Sequence, residues 1–193
     1  MLRRKLSEHI LTVFTIVALL WFPGCKPDED NGRTWSVYKA DANSSSYSPL
    51  DEINLSNVGQ LQPAWTFMIN DLPKNAQPAS SQCNPIIVDG ILYATSAKRL
   101  AYAIDAATGK QIWTYDPFDG GGGGGVGRGV TYWENRDDKR ILFGAGNHLI
   151  ALDARTGKPI DEFGEKGRVN LNVGVRDDPE KIAVTITTPG IIY

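Results

Sequence analysis

Cysteine is nearly absent from this 193-residue chain, which has only Cys25 and Cys83. Two thiols offer neither a disulfide framework nor a metal cluster of the CxxC kind. No charge of one sign prevails either: 20 lysines and arginines face 22 aspartates and glutamates, for a formal charge of −2. That balance gives no electrostatic attraction to nucleic acid, and the partner class is set aside. Beyond Gly24 no stretch sustains a helical period, so an α-helical fold is excluded. What remains is a globular composition, 41% hydrophobic and 22% charged, at a length that suits one domain.

Long hydrophobic runs are also missing, with one exception. ILTVFTIVALLWF (Ile10 to Phe22) follows the cationic Arg3, Arg4 and Lys5. It is short for a membrane span, which needs roughly 20 residues, and suits the core of a signal peptide over residues 1–24. The run ends in FPGC, where Gly24 precedes Cys25, and this resembles the lipobox of bacterial lipoproteins. The resemblance implies a lipidated Cys25, export, and anchoring to a membrane of the periplasm or cell envelope. Plain cleavage, with Cys25 a bystander, is the alternative. Residues 25–33 then form a polar tether.

The rest of the chain repeats. AYAIDAATGKQIWTY from Ala101 matches LIALDARTGKPIDEF from Leu149: Asp153 lies 48 residues after Asp105, and Gly157 lies 48 after Gly109. Trp65 stands the same distance before Trp113. A period of about 40–50 residues with strand-like content indicates a β-propeller. NPIIVDGILYAT (84–95) reads as a hairpin turning at Asp89-Gly90. Residues 100–105 and 111–116 complete a four-stranded blade. A second blade is expected over 129–134, 140–146, 148–153 and 158–164, and 188–193 reads as the opening strand of a third. The fold class is therefore all-β, with about two blades plus partial ones.

In each repeat the Asp of Asp-Ala-x-Thr-Gly caps a turn, and the Gly takes a backbone shape that disfavours a Cβ. Trp113 is expected to lie across the neighbouring blade, whereas the second copy has Asp161 in its place. Cys83 reads as a small buried hydrophobe, and His148 as an exposed turn residue. Propellers close with typically 4–8 blades, and Tyr193 ends in mid-pattern, so the chain is expected to be an N-terminal fragment.

Residues 119–130, DGGGGGGVGRGV, hold the densest glycine run. A P-loop would end in Gly-Lys-Ser/Thr and open a helix; here Arg128 and Gly129 lead into a strand. The dinucleotide fingerprint fails for the same want of a helix. A flexible loop explains Gly120 to Gly125 but leaves Arg128 unexplained. A glycine-flanked arginine at the start of an inner strand can offer its fork to a carboxylate brought close to the backbone.

From about Trp35 to Tyr193 the chain resembles the quinoprotein dehydrogenases that carry pyrroloquinoline quinone (PQQ), in their glucose-dehydrogenase-like branch. The resemblance rests on SSSYSPLDEINLSNVGQLQPAWTF, SQCNPIIVDGILYATS, AIDAATGKQIWTYDP, GRGVTYW, RILFGAGNHLIALDARTGKPIDEFGEKGRVNL and TTPGIIY. It implies a propeller of about eight blades. Arg128 matches an arginine that pairs with a PQQ carboxylate. Thr187 matches a threonine that contacts the same cofactor. Gln82 falls where relatives often carry a cofactor-binding glutamate.

The resemblance further implies a Ca²⁺ ion and a catalytic aspartate, both expected downstream of Tyr193, so no metal ligand or catalytic residue is assigned here. Electrons would pass to a membrane quinone or cytochrome. Alcohol-oxidising relatives carry an adjacent cysteine pair before the arginine; here those places fall near Gly122 and Gly123. The expected function is therefore oxidation of a sugar or polyol. The alternative is a non-catalytic propeller lipoprotein serving as an outer-membrane assembly or binding scaffold.

Overall fold

The computed structural model describes residues 34–69, 71, 80–121, 123–175, 178 and 181–192. The expected signal peptide (1–24) and the whole of the expected tether (25–33), Cys25 included, lie outside them, as do Gly122 and Tyr193. Among the described residues eight strands form two antiparallel sheets in sequence order. The first holds β1 (Ile86–Val88), β2 (Ile91–Thr95), β3 (Ala101–Asp105) and β4 (Gln111–Tyr115). The second holds β5 (Thr131–Asn135), β6 (Asp138–Ala145), β7 (His148–Asp153) and β8 (Arg168–Asn170). Each sheet is one blade. A short 3-10 turn, Val58–Gln60, precedes the sheets.

Local chemistry sets the turns. Asp89 and Gly90 both take left-handed backbone (φ 50° and 77°), the geometry of a tight hairpin between β1 and β2. After β3, Asp105 Oδ1 accepts from the Thr108 amide (2.7 Å) and hydroxyl (2.8 Å). Asp153 repeats this after β7 with Thr156, at 2.8 Å for both bonds. The aspartates are structural caps.

The blades share one core. Ile86, Ile141, Ile150, Leu152 and Val130 are fully buried, and the cluster they anchor runs through both sheets. Trp113 locks the joint: its Nε1 donates to Ala154 O at 2.9 Å, and its indole lies over Gly157. Trp65, which is not in a strand, docks in the same manner, donating to Ala106 O at 3.0 Å over Gly109.

Four expectations are corrected. The fourth strand of the second blade is β8 and not 158–164. Pro159 makes a single bridge to Leu152, because a proline has no N–H to continue the ladder. The chain then turns at Ile160–Phe163, passes through left-handed Gly164 and Gly167, and pairs again from Arg168. Residues 188–192 form no strand; they lie beside the second blade, where the Thr131 hydroxyl donates to Gly190 O. His148 is not a turn residue but opens β7, half-buried and paired with Asn170. Cys83 is only half-buried, and its Sγ accepts the Thr95 amide at 3.2 Å, so it acts as an acceptor as well as an apolar filler.

Candidate functional site

The segment 182–190 is held from four directions. Asn172, near the end of β8, acts as a strand partner: its Nδ2 donates to Ile182 O (2.9 Å), and its Oδ1 accepts from the Val184 amide (3.0 Å). Arg99, in the turn between β2 and β3, donates from Nη2 to Ile186 O (2.8 Å). The Arg128 amide donates to Thr187 O (2.8 Å), and the Thr131 hydroxyl donates to Gly190 O (3.1 Å). Gly144 permits this approach, since a Cβ there would lie 2.7 Å from Ile186 O.

Arg128 sits where three stretches of backbone meet. Its amide bonds Thr187, and its carbonyl accepts from Asn84 at 3.0 Å. The flanking glycines are required on both sides. A Cβ at Gly129 (φ 141°) would fall 2.7 Å from Asn84 O, and one at Gly127 would overlap the Arg99 guanidinium. Arg128 Nη1 then reaches Thr187 Oγ1 at 3.3 Å. Arg128 and Thr187, expected together from the sequence, are neighbours in space and both half-buried.

Gln82 is not drawn into that pair. It is exposed, and its carbonyl accepts a long bond (3.4 Å) from Asn84 Nδ2. The rest of the glycine run packs on protein at two positions among the described residues. A Cβ at Gly121 would lie 2.9 Å from Phe118 O, and one at Gly123 would overlap the Phe118 ring, while Gly124 and Gly125 have open space.

Arg99 is the residue that sequence reasoning missed. It is 4% exposed, its Nε is buried without a hydrogen-bond partner, and its backbone is left-handed (φ 71°). Burial pulls its pKa below the usual arginine value, partly countered by Cys83. Among the described residues no carboxylate lies within ion-pair distance of Arg99 or Arg128. The only hint in the sequence is a cation pair, Lys98-Arg99, abutting an apolar strand.

Two guanidinium groups reaching neighbouring residues of one segment, with a hydroxyl beside them and no carboxylate partner among the described residues, make a site for an anion. An apolar cavity of about 220 Å³ adjoins these groups, walled by Phe143, Leu149, Ile186 and Pro189; Arg99 and Thr187 also line it, and Arg128 does not. Among the described residues no group of three or more His, Cys, Asp or Glu is arranged to hold a metal ion.

The chain matches the PQQ-linked glucose/ethanol/alcohol dehydrogenase β-propeller domain over residues 35–193. It is 40% identical over 137 residues to the dehydrogenase subunit of the quinone alcohol dehydrogenase of Gluconacetobacter polyoxogenes, covering 67% of this chain and 17% of that protein. It is 31% identical over 162 residues to the quinoprotein glucose dehydrogenase of Escherichia coli K12, covering 75% of this chain and 20% of that protein. The structure of a quinohemoprotein alcohol dehydrogenase from Pseudomonas putida HK5 superposes with a TM-score of 0.64 at 29% identity, over 83% of this chain and 22% of that one. The chain thus spans about one fifth of these relatives. With a match over almost the whole described length and two four-stranded blades in place, the chain belongs to the PQQ-dependent glucose/ethanol/alcohol dehydrogenase β-propeller family.

Proposed function

We propose that these residues form the opening blades of a PQQ-dependent dehydrogenase that oxidises a hydroxyl of a sugar or polyol and passes the electrons to a membrane quinone or cytochrome. One observation carries the reading: Arg128, half-buried and in contact with the Thr187 hydroxyl, has no carboxylate partner among the described residues. PQQ is a tricarboxylate, and this donor set fits it. When bound, PQQ supplies the two-electron acceptor.

The roles of this chain's residues are binding and orientation. The Arg128 fork engages a carboxylate, and Thr187 donates its hydroxyl to the same group. Gln82 offers an amide from the neighbouring lead-in. Ca²⁺ would draw its ligands, and the reaction its base, from residues beyond this chain. The sugar or polyol assignment is supported by the glycines that stand where alcohol-oxidising relatives carry a cysteine pair; at Gly123 an added Cβ would overlap the Phe118 ring. Export and lipid anchoring at Cys25 complete the proposal.

The test is a titration of the full-length protein with PQQ, followed by absorbance. Arg128→Ala should weaken binding by about tenfold or more, as expected when a charge-assisted hydrogen bond is lost. Equal affinity in the variant would remove Arg128 from the site and leave a binding scaffold.

A further inference from the structure

We infer that Arg99 is a positioning residue that sets the spacing between Arg128 and Thr187. The inference rests on the reading of those two as cofactor ligands. One guanidinium touches the residue before each of them. Nη2 holds Ile186 O at 2.8 Å, one residue before Thr187, and the head group fills the space left by the missing side chain of Gly127, one residue before Arg128.

The placement of Arg99 is itself fixed. Residues 96–100 form a closed loop at the end of β2: Arg99 N–H donates to Ser96 O (3.0 Å), Leu100 N–H to Ser96 Oγ (3.1 Å), and Ser96 N–H to Leu100 O (2.9 Å). The left-handed backbone of Arg99 (φ 71°) is disfavoured for a side chain of this size, so the surrounding bonds impose it.

Burying an arginine with no carboxylate costs more than burying a leucine or methionine of similar bulk. A residue needed only for packing would not carry this charge. The head group does what no apolar side chain can: it ties the first blade to Ile186 by a charge-assisted bond. It also explains Gly127: the position is glycine because Arg99 occupies the space.

A double-mutant cycle tests this, with the PQQ dissociation constant of the full-length protein as the readout. Arg99→Met should weaken binding about tenfold, the cost of one lost charge-assisted hydrogen bond. In the Arg128→Ala background the same change should cost clearly less, because the spacing Arg99 sets then serves Thr187 alone. Unchanged affinity in Arg99→Met, or losses that simply add, would overturn the inference. If Arg99→Met does not fold, Arg99→Lys takes its place, with the same loss expected and the same results overturning the inference, since lysine keeps the charge but cannot span both contacts. Unchanged affinity in Arg128→Ala alone is a separate result, and it defeats the ligand reading instead.

Discussion

The indole of Trp113 covers Gly157 across the joint between the two blades. A Cβ built on Gly157 would lie 2.6 Å from Cδ2 and 2.8 Å from Cε3 of the ring. Gly157 also has φ 71°, where a side chain costs about 1–2 kcal/mol by itself. Gly157→Ala should therefore lower stability by about 2 kcal/mol or more, read from the midpoint of urea unfolding. A loss under about 0.5 kcal/mol, the scale of an ordinary surface change, would show that the contact does not hold the joint.

The glycine run divides into required and dispensable positions. Gly123→Ala forces the half-buried Phe118 ring to move and should lower the melting temperature. Gly124→Ala meets open space and should be neutral, or stabilising by about 0.5 kcal/mol through the unfolded chain. Equal effects in thermal unfolding would contradict the division.

Asn172 is 7% exposed, and its amide ties down Ile182 and Val184. Asn172→Ala leaves a backbone carbonyl and a backbone amide without that partner, a cost of about 1–3 kcal/mol for each group left buried and unpaired. Hydrogen exchange at the Val184 amide should quicken at least tenfold. Unaltered exchange there would mean that the segment is held by its other contacts.

The Thr108 hydroxyl and amide hold the Asp105 carboxyl below its usual 3.8. A lowered folded-state pKa gives stability that is present above pH 3.8 and lost as pH falls through the lowered value. Asp105→Asn should flatten the acid limb of a stability–pH curve in that window. An unchanged limb would assign acid sensitivity to other groups.

Much of this was legible in the sequence, for identifiable reasons. The blades follow from period-two apolar runs punctuated by Asp89-Gly90 and the Asp-Ala-x-Thr-Gly turns, whose bonds are local. Trp113 and Gly157 declare their contact because the 48-residue repeat places a second pair, Trp65 and Gly109, in register. The displaced β8 was hidden because 158–164 copies the repeat in composition while Pro159 lacks the N–H the ladder needs. Arg99 was illegible for a different reason. Its partners Ile186 and Gly127 act through a carbonyl oxygen and a missing side chain, neither of which is written in residue types.

The Trp–Gly joints also run in one direction. Trp65 waits for Gly109 and Trp113 for Gly157, so each indole leaves the ribosome 44 residues ahead of its seat. Such nearby pairings close quickly and favour vectorial assembly, with each blade clasped as the next one emerges. Asp161 breaks this chain of clasps, and the seam after the second blade passes to Asn172, Arg99 and Arg128. The residues that would grip the cofactor are thus also the ones that receive the next stretch of newly made protein.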